Sequence, residues 1–249
     1  MFNLIVVALM ALAVGVAALT LFSGRRAGVS PATWPFFALA AFVLIESRVF
    51  VDTPSLTDAM QANPSDQTTS YISDRVSDLL IGGGVTMLGI ACAGVFFAGL
   101  ARHVRATAES SIAPWLIAIG GAATVAVVGT GAGLFSILAD AASSDRAPTT
   151  VAAIYTIFDS LAYVGFTAMG LVTAGVALAS FREHAFSSAV GWVSAVATGL
   201  FVMCAFLPFL SWAPALLWLL VAGIALVWRE GREARTLAPV GAVPSPSEP

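Results

Sequence analysis

Lysine is absent from this sequence, charged residues are scarce, and only two cysteines and two histidines occur among its 249 residues. The absence of lysine excludes a retinal-binding rhodopsin, because such a protein needs a lysine for its Schiff base. Charged residues make up 10% of the chain, against about 25% in a soluble domain. A chain of this length has too much surface to hide the 59% of its residues that are hydrophobic from water. The sequence therefore predicts a protein for which lipid is part of the solvent.

The few cysteines and the net charge exclude further classes. Cys92 and Cys204 both fall inside apolar segments, where cysteine acts as a small hydrophobic residue, so no disulfide is indicated. The formal net charge is −3, which gives no general attraction to nucleic acid, and no nucleic-acid partner is expected. Arginine as the only strong base, with abundant alanine, glycine and valine, is typical of a GC-rich bacterial genome.

Seven apolar segments follow one another along the chain, and most are near the length of about 20 residues that crosses the hydrocarbon of a bilayer. The first lacks a basic leading region and a cleavage site of small residues before Arg25, so it is interpreted as a retained helix and not a signal peptide. The last is short and is expected to start about one turn earlier, near Ser211. The predicted fold is an all-α, polytopic transmembrane bundle of seven helices, covering residues 2–22, 33–50, 78–100, 114–138, 151–180, 190–207 and 214–228.

The placement of arginine predicts the orientation. Eight of the eleven arginines lie in the loops after segments one, three and five and in the tail, namely Arg25, Arg26, Arg102, Arg105, Arg182, Arg229, Arg232 and Arg235. The positive-inside rule puts these loops in the cytoplasm, with the N-terminus outside and the C-terminus inside, in the inner (plasma) membrane of a bacterial cell. Tryptophan favours the headgroup level, and Trp34, Trp115, Trp192 and Trp228 fall at the same predicted ends, with Trp212 at an outer end.

The chain divides into three predicted parts. Residues 1–28 form an additional N-terminal helix with a basic turn, residues 29–235 a six-helix membrane bundle, and residues 236–249 a cytoplasmic tail whose Pro, Ser and Ala content predicts disorder. The bundle includes a hydrophilic outer loop at residues 52–77. In this loop Ser55 and Asp58 fit a capping box and predict a short interfacial helix.

Glycine crowds the third and fourth segments. Small residues let helix backbones approach closely in lipid, so tight packing inside the bundle is expected. The alternative is a dimer face at the GxxxG pair Gly129 and Gly133, which would make the protein a homo-oligomer. The residues concerned are Gly82, Gly83, Gly84, Gly89, Gly94 and Gly99 in the third segment, and Gly120, Gly121, Gly129, Gly131 and Gly133 in the fourth.

Several segments of this chain resemble the sequence pattern of a known protein family. They are the acidic outer loop with its short helix (residues 52–77), a helix ending in small and basic residues (Ala98 to Arg105), and a late helix closing with Ala179-Ser180-Phe181-Arg182, followed by Gly191-Trp192 and a final helix closing at Trp228-Arg229. In these features the chain from about Val29 to Glu230 resembles the DUF4386 group of bacterial integral membrane proteins. The resemblance covers six of the seven segments and marks the first helix as an addition. It implies a helical membrane fold and brings with it no activity, cofactor or partner.

Three ionisable residues fall inside predicted membrane segments, where charge is costly unless it is paired or hydrated. Glu46 and Arg48 lie near the outer end of the second segment, and Asp159 lies about two turns into the fifth. Tyr155 and Tyr163 stand four residues on either side of Asp159 and share its helix face. This candidate polar cluster is interpreted either as a cavity for a proton, ion or small polar solute, or as a structural salt bridge, of Arg48 with Asp159 or Glu46, that locks two helices together. The salt bridge is favoured, because three charges near one interface are easily satisfied.

Enzyme signatures are missing. His103 and His184 lie in predicted cytoplasmic loops and are expected to be solvated, since no HxxxH, CxxC or third-ligand spacing accompanies them. The sequence contains no GxSxG elbow, no HExxH and no Walker A motif. We therefore expect no catalytic residues, no metal ligands and no cofactor. The preferred hypothesis is a structural or interaction role in the membrane, with lipid as an expected partner and any protein partner left open. The alternative is a small transporter or channel that uses the polar cluster, and a third, weaker class is an enzyme acting on lipid or envelope precursors.

Overall fold

Six α-helices make up almost all of the chain that the structure, a computed structural model, describes: residues 34–49, 72–74, 76–144, 148–207 and 210–237. They are α1 (Trp34–Val49), α2 (Val76–Thr107), α3 (Ala113–Ser143), α4 (Pro148–Glu183), α5 (Ser188–Cys204) and α6 (Trp212–Leu237). No strand occurs within these ranges. The all-α prediction is confirmed, and each helix corresponds to one predicted segment. The first predicted segment, the outer-loop helix and all but the first two residues of the predicted tail lie outside the described residues.

Three of the helices are long and apolar enough to cross a membrane. By length and composition these spans are Leu79–Thr107, Ala113–Ala141 and Val164–Glu183, and two shorter apolar helices cover Ser188–Cys204 and Trp212–Leu226. The helices extend beyond the apolar segments: α2 continues through Arg102 and Arg105 to Thr107. Its 32 residues correspond to about 48 Å, longer than the roughly 30 Å of bilayer hydrocarbon. Arginine is a good helix former, so the helix continues where the apolar run stops.

Local signals fix several helix ends. α3 has a proline at its start, where the missing N–H costs nothing. The hydroxyl of Ser187 accepts a hydrogen bond from the Val190 N–H at the N-terminus of α5. Between α4 and α5, His184 has a φ of 53°, a left-handed conformation that ends helices and that glycine adopts at least cost. The Ala185 N–H then donates to the Ala179 carbonyl at 3.1 Å.

The six helices form a closed ring in which every helix is antiparallel to its neighbours. Each packs on the helices next to it in the chain, and α1 also packs on α6. The contacts of glycine positions show the alternating direction: Gly83 meets Phe135 near one end of the α2–α3 pair, and Gly121 meets Phe97 near the other. Gly223 of α6 meets Leu39 of α1 and closes the ring. Alternate helix ends therefore lie on the same side of the bundle.

The core lies along the inside of this ring. Its largest fully buried side chains include Phe96, Phe201, Met169, Leu100 and Trp218, and the Phe96 ring lies 6.0 Å from the Trp218 ring between centroids. A smaller buried cluster of Ile72, Leu138, Ala141 and Val151 lies at the opposite end from the arginines of α2. Tyr155 packs against this smaller cluster.

Close packing by glycine is confirmed, but not at the GxxxG pair. A Cβ at Gly120 would stand 2.7 Å from Leu171 Cβ and 2.8 Å from the Val172 backbone nitrogen, and a Cβ at Gly121 would stand 2.7 Å from Phe97 Cβ. The adjacent glycines let α3 approach α4 on one side and α2 on the other. At Gly129 and Gly133 the nearest atoms would be 3.9 Å away, on Ile90 and Met87 of α2. The GxxxG pair therefore faces a helix of the same chain.

Candidate functional site

The structure describes only part of the predicted polar cluster. Tyr155 is half-buried against the small cluster of Ile72, Leu138, Ala141 and Val151. Glu46 and Arg48 lie on the last turn of α1, and Asp159 and Tyr163 lie on α4, but the side chains of these four are outside the described residues. The principal neighbours of α1 are α2 and α6, whereas those of α4 are α3 and α5. Of the two salt bridges that the sequence allows for Arg48, a pair with Asp159 would therefore have to join two helices that are not adjacent in the ring, whereas a pair with Glu46 would lie within α1.

A polar seam of four side chains joins α4, α5 and α6, and the sequence analysis missed it. The Thr173 and Thr198 hydroxyls are 2.8 Å apart, and the Trp218 Nε1–H donates to the Ser194 hydroxyl at 3.0 Å. Thr198 also donates to the Ser194 carbonyl at 2.8 Å, one helical turn earlier on α5. The signal was present in the i, i+4 spacing of Ser194 and Thr198 on one face of an apolar segment, but their partners on α4 and α6 depend on the packing.

The other buried hydroxyl side chains of the described bundle also have interaction partners. Thr86 donates to the Gly82 carbonyl at 2.9 Å, Thr124 to the Gly120 carbonyl at 2.8 Å, and Ser180 to the Val176 carbonyl at 2.7 Å. Ser211 has an interaction partner as well. A hydroxyl without a partner in an apolar interior costs a few kcal/mol, so bonding within the helix lets these residues face neighbouring helices.

His103 corrects one prediction of the sequence analysis. It lies within α2 and not in a solvated loop, and its side chain is half-buried. Its Nε2 lies 3.2 Å from the Ala185 carbonyl oxygen, and its ring lies 5.2 Å from that of Phe186. A carbonyl oxygen can only accept, so Nε2 carries the proton of this bond. The contact joins the end of α2 to the turn between α4 and α5.

The residues next to His103 do not assemble a metal centre with it. His184 is exposed, whereas the Oε2 atom of Glu183 is buried without a hydrogen-bond partner. Among the described residues, no group of three or more His, Cys, Asp or Glu side chains is placed to hold a metal ion. Cys92 and Cys204 are free thiols on α2 and α5.

Exposed arginines and tryptophans mark one end of the bundle. Arg102 and Arg105 on α2 and Arg182 on α4 are exposed there, and the His103 contact shows that these helix ends lie on the same side. Trp115 on α3 is 62% exposed and Trp192 on α5 is 66% exposed. The Trp192 ring stands edge-on to Phe181, with centroids 5.2 Å apart. Large exposed indoles at helix ends are typical of the membrane–water interface.

No family model matches this chain, and no curated protein or solved structure matches it either. Kinship with the DUF4386 group therefore stays a prediction carried by the sequence features alone.

Proposed function

We propose that this chain is a multi-pass protein of the bacterial inner membrane with a structural or interaction role. The observation that carries the role is the bonding of the buried hydroxyls: in the described bundle, those of Thr86, Thr124, Thr173, Ser180 and Ser194 all have partners in their own helix or a neighbouring one. A transport pathway needs polar groups that are open to water or to a solute. Polar groups already used between helices favour packing instead.

The surface of the bundle supports the membrane location. Large apolar side chains are exposed on all six described helices, and an exposed apolar surface of this extent requires lipid or protein to cover it. Lipid fits this requirement, because every described helix contributes exposed apolar side chains to the outer surface of the bundle. Examples are Val43 on α1, Ile81 and Val95 on α2, Ile119 and Ile137 on α3, Val164 and Leu171 on α4, Val196 and Leu200 on α5, and Leu217 and Ile224 on α6.

The orientation is proposed from charge. The end of the bundle with Arg102, Arg105 and Arg182 is assigned to the cytoplasm by the positive-inside rule. The opposite end, where Asp140 lies in the last turn of α3, is assigned to the outside. With α6 running toward the arginine end, the C-terminus is cytoplasmic, and one further helix before α1 would place the N-terminus outside. Kinship with the DUF4386 group is part of the same proposal.

Cysteine labelling in cells tests the membrane location and the orientation together. Ser143 and Ser188 are exposed at opposite ends of the bundle, and Ser188 is preferred to Ser187 because Ser187 caps α5. In a Cys92→Ala, Cys204→Ala background, a membrane-impermeant thiol reagent should label Ser143→Cys in intact cells and Ser188→Cys only after lysis. The opposite pattern would reverse the orientation. Recovery of the protein in the soluble fraction would overturn the membrane location.

The same labelling series separates the structural role from transport. Thr173 is fully buried at the α4 end of the polar seam. Thr173→Cys should stay unreactive toward the impermeant reagent in intact cells and in opened membranes, because close packing excludes water from the seam. Rapid labelling of Thr173→Cys in a protein that remains folded would reveal a water-filled passage and favour the transporter alternative.

A further inference from the structure

The two exposed arginines of α2 continue a stripe that faces away from the bundle. Exposed positions recur along α2 at intervals of three or four residues: Met87, Ala91, Val95, Ala98, Arg102 and Arg105. This spacing keeps side chains on one face of a helix. The first four are apolar, and the last two carry guanidinium groups. A face that meets lipid chains along most of its length thus ends in two positive charges.

Trp115 of α3 lies level with this arginine pair. Gly121 of α3 and Phe97 of α2 are in direct contact, which sets the register of the two antiparallel helices. Arg102 is five residues beyond Phe97, or about 7.5 Å along the helix, and Trp115 is six residues before Gly121, or about 9 Å. The two helices run in opposite directions, so these distances point the same way. The exposed indole and the arginines therefore stand at nearly one height on adjacent helices.

We propose that Arg102, Arg105 and Trp115 form a site for the phosphate of an anionic phospholipid headgroup. The proposal rests on the proposed function, since it requires this end of the bundle to lie at a membrane surface. Guanidinium groups donate paired hydrogen bonds to phosphate oxygens, and their aliphatic stems can lie along the apolar stripe below. The indole N–H is a further donor at headgroup height.

The surrounding charges favour a headgroup that carries net negative charge. Glu109, exposed in the turn after α2, is the one acidic residue between Arg102 and Trp115 and lies beyond Arg105 along the chain. A zwitterionic headgroup would bring its own cation toward the arginines, whereas a phosphatidylglycerol-type headgroup would not. Juxtamembrane arginines attract anionic lipid in this manner. The two acyl chains would follow the exposed side chains of Val95 and Ile119.

The α4–α5 pair provides a matched control within the same molecule. Arg182 is exposed on α4 next to Phe181, whose ring contacts that of Trp192. This position therefore resembles the proposed site in its residue types and lies at the same end of the bundle, but it has a single arginine. Removing Arg182 changes the net charge without touching the proposed site. A specific site at α2–α3 and a diffuse effect of net charge therefore predict different outcomes.

The test titrates the purified full-length protein in neutral detergent with phosphatidylglycerol or with phosphatidylcholine of identical chains. Binding is counted by native mass spectrometry and checked by the shift in melting temperature. Phosphatidylglycerol should bind more tightly than phosphatidylcholine, and Arg102→Gln with Arg105→Gln should weaken its apparent affinity about 10- to 30-fold, since each basic group near a membrane contributes several-fold. Arg102→Lys with Arg105→Lys should lose less affinity than the glutamine pair, because lysine keeps the charge but not the paired hydrogen bonds. Arg182→Gln should change the affinity less than about threefold.

Three outcomes would overturn the site. Equal binding of the two lipids would remove the preference for anionic headgroups, and a loss on Arg182→Gln equal to that on Arg102→Gln alone would reduce the effect to net charge. Equal stabilisation by the water-soluble headgroup, glycerophosphoglycerol, at the same concentration would show that the ligand is a free phosphate compound and not a lipid. A glutamine variant whose melting temperature in phosphatidylcholine is unchanged is folded, so its loss of binding is interpretable. Failure of the proposed membrane location appears separately, in cell fractionation and cysteine labelling.

Discussion

The indole N–H of Trp218 on α6 donates to the hydroxyl of Ser194 on α5 at 3.0 Å, and both residues are almost completely buried. This bond crosses between helices in a region where water is not available as a substitute partner. Ser194→Ala should therefore leave the indole N–H unsatisfied and lower the free energy of unfolding in detergent by about 0.5–2 kcal/mol.

A double-mutant cycle isolates the contribution of this bond. Trp218→Phe removes the donor and some volume, and combining it with Ser194→Ala should cost less than the sum of the two single changes. Contacting residues give coupling free energies of about 0.5–3 kcal/mol. Ser188→Ala, at an exposed position of the same helix, is the control for loss of a serine hydroxyl. A coupling of zero between positions 194 and 218 would contradict the bond.

Two glycines of the α3–α4 interface should be intolerant of alanine. At Gly120 a Cβ would meet the Val172 backbone nitrogen at 2.8 Å, and at Gly175 it would meet the Ala113 carbonyl oxygen at 2.9 Å. Backbone atoms cannot swing aside as a flexible side chain can, so either change must push the helices apart. We expect Gly120→Ala and Gly175→Ala each to destabilise the protein by about 1–3 kcal/mol, measured as a fall in melting temperature in detergent.

Gly84 and Gly199 provide the controls for these substitutions. Both are helical, and a Cβ at either would meet nothing within 4 Å. Alanine favours the helix over glycine by about 0.5–1 kcal/mol, so Gly84→Ala and Gly199→Ala should leave the melting temperature unchanged or raise it. Equal destabilisation at all four positions would show that close approach at Gly120 and Gly175 is not the cause.

Glycine in place of His184 should stabilise the protein. Its φ of 53° is a left-handed conformation that costs a residue with a Cβ about 1–2 kcal/mol, and its side chain is exposed. His184→Gly should therefore raise the free energy of unfolding by up to about 1 kcal/mol, and His184→Val should lower it. The measurement is thermal unfolding of the two variants beside the parent protein. A stabilising valine would show that the turn is not held in this conformation.

His103 should matter for the order of the α4–α5 turn. His103→Ala removes both the hydrogen bond to the Ala185 carbonyl and the contact with the Phe186 ring. Amide exchange in the 184–187 turn should become faster, because one of its attachments to α2 is lost. Arg105→Ala, an exposed change on the same helix, is the control. Unchanged exchange in His103→Ala would mean that the turn is held by its other contacts alone.

The positions of the helices could be predicted from the sequence, but their ends and partners could not. Hydropathy marked the apolar part of α2, yet the helix continues through Arg102 and Arg105 to Thr107, because backbone hydrogen bonding does not stop where side chains become polar. The start of α6 near Ser211 was predicted within one residue. The apolar run of this helix begins at residue 214, so its start was predicted from the length needed to cross the bilayer and not from the run itself.

Contacts between helices were beyond the sequence for a different reason. The GxxxG pattern indicated Gly129 and Gly133, whereas α3 approaches its neighbours more closely at Gly120 and Gly121. The register between the helices determines which glycines lie at the closest contacts, and the sequence does not contain it. His103 carries no local sign that it faces the α4–α5 turn. The same holds for the polar seam, since Ser194 and Thr198 could be read from their spacing but not their bonds to Trp218 and Thr173.

The contact between α6 and α1, which closes the ring, affects the order in which the helices can assemble during synthesis. Gly223 meets Leu39 and Ala38, so this face of α1 depends on a helix that begins 178 residues after α1 begins, at residue 212 against residue 34. Until α6 emerges from the ribosome, α2 is the one principal neighbour of α1 among the described helices, and the other flank of α1 must be covered by lipid, by the insertion machinery or by another segment of the chain. A nascent protein stopped before Trp212 would present an open arc of helices to the quality-control proteases of the membrane.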